Sequence, residues 1–105
     1  MKAQRYFPSA ELEESAYYKV TEGKCVKYGC MSYHGYHITA SINYRRPIVE
    51  VENFEATHQC LCNEVDFLVE HNDTFEYVDE KEFTEFFNNV QKQIADHVYD
   101  ASLKI

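Results

Sequence analysis

The C-terminal third of the chain repeats large apolar side chains at three- and four-residue steps, and this spacing is the strongest constraint on the fold. The repeating residues are Phe83, Phe86, Phe87, Val90, Ile94 and Val98. Side chains at such steps form one stripe along a helix, so we predict a helix over residues 80–101. Asp79, followed three residues later by Glu82, resembles a capping box that would begin this helix. A helix with a single apolar stripe needs a second apolar surface to cover it.

An alternating segment in the middle of the chain predicts that second surface. In YHITASINY, residues 36–44, apolar side chains take every second position and polar ones the positions between them. This alternation is typical of an antiparallel strand with one buried face. The segment PIVEVENF, residues 47–54, alternates in the same way and predicts a neighbouring strand.

The dipeptide His-Gly at residues 34–35 predicts a two-residue hairpin loop, because glycine and, less freely, histidine accept positive φ. That loop pairs Met31 with Ile38 across the hairpin. In this register Cys30 and His37 lie together on the more polar face of the sheet.

Residues 58–70 are predicted to form another strand, which begins with the sequence HQCLC. The side chains expected on its core face are those of Leu61, Val65, Phe67 and Val69. Those expected on the more polar face are His58, Cys60, Cys62 and Asp66. The segment TFEYV, after a turn at Asn72, predicts a further short strand.

These elements predict one α+β domain over residues 1–105: an antiparallel sheet of four to six strands with the C-terminal amphipathic helix packed on one face. Residues 1–8 are expected to be loose, and Ser9 could cap a short N-terminal helix that stops near Tyr17. No apolar run is long enough to span a membrane, and the N-terminus lacks the apolar region of a secretory signal. We therefore expect a cytoplasmic protein with reduced cysteines.

The charge is both high and unevenly distributed. The formal net charge is −8, and residues 64–85 hold nine of the eighteen acidic side chains. A strongly acidic surface disfavours direct binding to nucleic acid or to anionic membranes. Carboxylates spaced along a surface can instead imitate a track of phosphates and attract a protein with a basic surface.

The leading hypothesis is therefore a small acidic protein-binding module that blocks the basic, nucleic-acid-binding surface of a target protein. By compositional analogy with small viral inhibitors of host nucleases and other defences, such a module would act in the host cytoplasm. The residues predicted to bind the partner are Glu64, Asp66, Glu70, Asp73, Glu76, Tyr77, Asp79, Glu80 and Glu82.

The alternative hypothesis is a zinc-stabilised interaction domain. Cysteine and histidine together suit zinc, and five such side chains fall on the more polar face in the predicted register. They are Cys30, His37, His58, Cys60 and Cys62. Packing thiols that need no cofactor remain the competing interpretation.

Neither an oxyanion hole nor a glycine-rich phosphate loop is evident, so we do not expect an enzyme. A homodimer through the more polar sheet face or through exposed strand edges remains open.

Overall fold

The computed structural model describes residues 15–32, 34–43 and 46–103, and the side chains of all of these except residues 58 and 97–103. The elements in chain order are β1 (Ser15–Glu22), β2 (Cys25–Ser32), β3 (Tyr36–Asn43), β4 (Arg46–Asn53), α1 (His58–His71), β5 (Thr74–Val78) and α2 (Glu80–Leu103). The five strands form one antiparallel sheet in the order β4-β3-β2-β1-β5. This confirms the α+β architecture, and α1 carries the chain from one edge of the sheet to the other.

The C-terminal helix packs on one face of the sheet, as its apolar stripe predicts. Phe83 is buried against Tyr28 and Cys30 of β2, and Phe86 and Phe87 pack beside it. The rings of Tyr28 and Phe86 lie 4.3 Å apart between centroids, a distance at which aromatic pairs attract. The alternating apolar side chains of β3 belong to this same face.

Half of the predicted capping box forms at the start of α2. The backbone N–H of Glu82 donates to Asp79 Oδ1 over 2.8 Å. The Glu82 carboxylate does not bond back to the cap, because its Oε2 accepts a hydrogen bond from the Tyr28 hydroxyl over 2.7 Å. The first turn of α2 is thereby tied to the centre of the sheet.

Replacing the cap tests this assignment. We expect Asp79→Ala to lower the free energy of unfolding by about 1 kcal/mol, because the Glu82 N–H loses its acceptor. Asp79→Asn is the matched control, since its side-chain oxygen can still accept that bond. Urea denaturation followed by circular dichroism measures both variants, and an equal loss in the two would contradict the capping role.

The prediction of a strand over residues 58–70 is wrong, because this segment forms α1. Thr57 caps the helix, and its Oγ1 accepts the N–H of Cys60 over 3.0 Å. Leu61, Val65 and Leu68, spaced by four and three residues, form the buried stripe. The strand prediction had placed Phe67 in the core, whereas the Phe67 side chain is 53% exposed. The helical spacing of the apolar residues therefore describes this segment better than the alternation of every second residue.

The stripe of α1 packs on the sheet face opposite α2. It contacts Ala16, Tyr18 and Val20 of β1, together with Met31 and Phe75. The sheet is thus covered by one helix on each side. The sheet face that was predicted to be the more polar one is therefore covered by α1 where β1 and β5 form it.

The predicted hairpin register is also wrong, by one residue. Cys30 pairs with Ile38, and Met31 pairs with His37. Three residues rather than two separate the strands, and Gly35 adopts a φ of 94°, which favours glycine. A one-residue shift moves every side chain of β2 to the other face, so Cys30 faces α2 while His37 faces α1.

Three other expectations concern the ends and edges of the sheet. Residues 1–14, which include the expected loose segment and most of the N-terminal helix expected after Ser9, lie outside the described residues. The last part of that expected helix, from Ser15 to Tyr17, instead opens β1. The homodimer, through the more polar sheet face or through a strand edge, stays a prediction, and β4 and β5 are the two edge strands of the sheet.

Candidate functional site

A cavity lies where α1 and the β3–β4 half of the sheet diverge. Its volume is about 390 Å³, within the range of ligand sites. The lining residues are Met31, His37, Glu52, Phe54, Cys60, Asn63, Glu64 and Phe67. The cavity follows from the sequence of the sheet: β1 and β5 present apolar side chains to α1, whereas β3 and β4 present His37, Thr39, Glu50 and Glu52.

His37 is buried in the wall of this cavity, with 7% of its surface exposed. Its Nε2 lies 2.6 Å from the Tyr18 hydroxyl, in a buried hydrogen bond. Desolvation, assisted by the positive charge of Lys27, lowers the pKa of His37 from 6.5 to about 4. The imidazole is therefore neutral at pH 7.

Tyr18 reaches His37 because Gly29 leaves room for its ring. Tyr18 is fully buried, and burial raises the pKa of its hydroxyl. A Cβ built on Gly29 would overlap the phenol ring of Tyr18. Glycine is therefore required at position 29 because a side chain packs closely against its backbone, and not because the chain turns there.

Two carboxylates face the cavity, one from each side. Glu64 projects from α1 with 42% of its side chain exposed, and Glu52 projects from the edge strand β4. Burial first and the nearby charge of Glu52 second raise the pKa of Glu64. The Glu64 Oε1 lies 3.7 Å from His37 Nδ1, but the neutral imidazole supplies no compensating charge.

Apolar side chains form most of the remaining lining, together with Cys60 and Asn63. Met31 is buried, Phe54 is half-buried and Phe67 stands exposed. The Phe67 ring stacks on His71, with 4.1 Å between centroids. The site therefore combines a carboxylate pair with apolar and aromatic walls.

The structure brings two of the predicted zinc ligands, His37 and Cys60, to the same cavity and places Cys30 on the other side of the sheet. Cys30 and His37 face opposite sides of the sheet, and Cys60 and Cys62 lie on a helix instead of a strand. Cys60 lines the cavity, and the side chain of His58 is not described. Among the described side chains, no three metal-ligating groups gather at one point.

The residues predicted to bind a partner are spread over both sides of the sheet. Glu64 and the half-buried Asp66 and Tyr77 belong to the α1 side, whereas Glu76 and Glu82 belong to the α2 side. The exposed members are Glu70, Asp73, Glu76, Asp79, Glu80 and Glu82.

Three of the exposed carboxylates have structural partners within the chain. Asp73 Oδ2 accepts the N–H of Gly23 over 2.8 Å, Asp79 caps α2, and Glu82 accepts from Tyr28. These three surface carboxylates therefore stabilise the fold through hydrogen bonds within the chain.

Sequence reasoning missed Glu52, Phe54 and Phe67 as members of one site. The available signal was Thr57, a preferred helix-capping residue, followed by Leu61 and Val65 at helical spacing. A helix at this point would have placed Asn63, Glu64 and Phe67 near the neighbouring strands.

Comparison with known proteins does not assign the site. No family model matches the chain, and neither a curated protein nor a solved structure shows significant similarity to it. Of the helices in the described part of the chain, neither is long and apolar enough to cross a membrane.

Proposed function

We propose that this protein is a small acidic protein-binding module that recognises a basic surface of another protein. The observation that carries the proposal is the cavity beside α1, where Glu52 and Glu64 both belong to the lining and the described lining residues include no lysine or arginine. A ligand that brings positive charge would neutralise both carboxylates.

The charge around the cavity favours a cation over an anion. The neutral His37 adds no positive charge beside the carboxylate pair at pH 7. Lys27 is close enough to act on Glu64 electrostatically, but it does not line the cavity. Like charges that are held near one another repel, so a bound cation would lower the energy of the site.

Exposed carboxylates outside the cavity extend the acidic surface. Glu70 on α1, Glu76 on β5 and Glu80 on α2 are exposed, and the whole chain carries a net charge of −8. Such a surface speeds and orients the approach of a basic partner. A partner whose basic surface ordinarily holds nucleic acid would then be blocked while this protein occupies it.

Capture of binding proteins from the source cell, at low and high salt, tests the proposal. We expect basic proteins to be captured at low salt, to be released at high salt, and to be displaced by duplex DNA or by RNA. Displacement by nucleic acid identifies the covered surface as a nucleic-acid-binding one.

Two double variants with equal loss of negative charge complete the test. We expect Glu52→Gln with Glu64→Gln to weaken capture about tenfold, since two charge-assisted hydrogen bonds are lost. The control removes Glu22 and Asp96, two exposed acidic residues that do not line the cavity, as Glu22→Gln with Asp96→Asn. Capture that is insensitive to salt would contradict the proposal, and equal behaviour of the two variants would contradict the role of the cavity in it.

A further inference from the structure

The apolar walls of the cavity are not explained by attraction to a basic surface alone. Exposed carboxylates would suffice for that attraction, whereas here a carboxylate pair stands beside Met31, Phe54 and Phe67. The walls point to a ligand that carries a cation at the end of an apolar stem.

We propose that this cavity receives the side chain of one arginine of the protein partner, with its guanidinium group between Glu52 and Glu64. The inference rests on the proposed function, because it names the group through which the basic partner is held. A single side chain also fits a cavity of about 390 Å³, which lies near the lower end of the ligand-site range.

The arrangement of acceptors favours arginine over lysine. A guanidinium is planar and presents five N–H donors, which match two carboxylates on different elements. An ammonium group is a compact point charge that holds its water more strongly. Arginine therefore loses less hydration free energy than lysine when it enters a site that is partly shielded from solvent.

The aromatic lining favours arginine for a second reason. Phe67 keeps 53% of its surface exposed although it is a large apolar residue, and it lines the same cavity as the carboxylates. A guanidinium plane stacks on aromatic faces, and the methylene stem packs on apolar side chains. Covering Phe67 in the complex would also bury surface that now contacts water.

Nuclear magnetic resonance of the isotopically labelled full chain tests this inference with three short peptides. The probes are Ac-Gly-Gly-Xaa-Gly-Gly-amide, where Xaa is arginine, lysine or citrulline, the last being an uncharged analogue of arginine. We expect the arginine peptide to shift the backbone resonances of His37, Asn63 and Glu64. We expect the citrulline peptide to bind about tenfold more weakly, and the lysine peptide to lie between the two.

Matched variants separate the cavity from the rest of the acidic surface. Glu52→Gln with Glu64→Gln is expected to abolish the shifts at His37, whereas Glu70→Gln with Glu76→Gln, which removes equal charge outside the cavity, should retain them. The spectrum of each variant also shows directly whether it is folded. Should the first pair unfold the chain, the single variant Glu52→Gln on the exposed edge strand supplies the same comparison.

The outcomes distinguish this inference from the proposed function. If the arginine peptide shifts residues around Glu76 and Glu80 instead of the cavity, the arginine site is refuted while recognition of a basic partner stands. Equal binding of citrulline or of lysine would also refute the arginine site. If none of the cationic peptides binds at low salt, the arginine site is refuted, and salt-sensitive capture of basic proteins decides whether the proposed function stands.

Discussion

Gly29→Ala is expected to destabilise the fold by about 3 kcal/mol, a large fraction of the stability of a domain of this size. The new methyl group would overlap the phenol ring of Tyr18, which is fully buried. Any movement that relieves the overlap also draws the Tyr18 hydroxyl away from His37, so a buried hydrogen bond is weakened. The free energy of unfolding in urea measures the effect.

A double-mutant cycle shows whether the overlap with Tyr18 is the cause. In the Tyr18→Val background, Gly29→Ala should lower the free energy of unfolding only slightly, because the phenol ring is absent. Alanine also restricts the unfolded chain more than glycine does, which favours the folded state. The same large loss in both backgrounds would contradict the steric explanation.

The second large effect expected is a loss of stability at acidic pH that depends on His37. Its pKa is lowered to about 4 in the folded protein from 6.5. Between these values the unfolded chain binds a proton that the folded protein does not, so the free energy of unfolding falls as the pH falls through this window. Between pH 7 and pH 4 the contribution amounts to about 3 kcal/mol, and above pH 7 it is absent.

Titratable groups from the neighbouring elements surround His37, and among them Lys27 lowers its pKa further. They are Tyr18 of β1, Lys27 of β2, Glu52 of β4, and Cys60 and Glu64 of α1. The pKa of Glu64 is raised by burial, so Glu64 acts in the opposite direction and stabilises the folded state as it takes up a proton. Its side chain is 42% exposed, so solvent reduces that contribution.

The comparison of His37→Gln with the wild type isolates the histidine. The glutamine side chain can still pair with the Tyr18 hydroxyl but binds no proton in this range. Between pH 7 and pH 4, the free energy of unfolding of the variant should therefore fall by about 3 kcal/mol less than that of the wild type. His71→Gln, which leaves the buried histidine in place, should keep the wild-type pH dependence. Parallel curves for His37→Gln and the wild type would show that His37 is not buried in its neutral form.

The sequence was sufficient to predict the sheet and the C-terminal helix, because both have unambiguous hydrophobic periods. Phe83, Phe87 and Val90 fit only a helix, and the alternation from Tyr36 to Ile42 fits only a strand. The segment from His58 to His71 carries both periods at once. Its cap at Thr57 and the tertiary contacts of α1 decide between them.

The candidate site was not predictable as a unit, because its composition depends on two structural details. The first is the hairpin register, which differs by one residue and separates Cys30 from His37. The second is the path of α1, which brings Asn63 and Glu64 near Glu52 on β4. Neither detail follows from local propensity, since both depend on contacts between distant segments.

The pKa of Glu64, followed through its side-chain carboxyl carbon with and without the arginine peptide, tests the central claim most directly. Burial and Glu52 raise this pKa in the free protein, and a cation between the two carboxylates would stabilise their ionised forms. We expect the peptide to lower the pKa of Glu64 and the citrulline peptide to leave it unchanged. An unchanged pKa when the arginine peptide is saturating would contradict the claim that these carboxylates bind the cation of a partner.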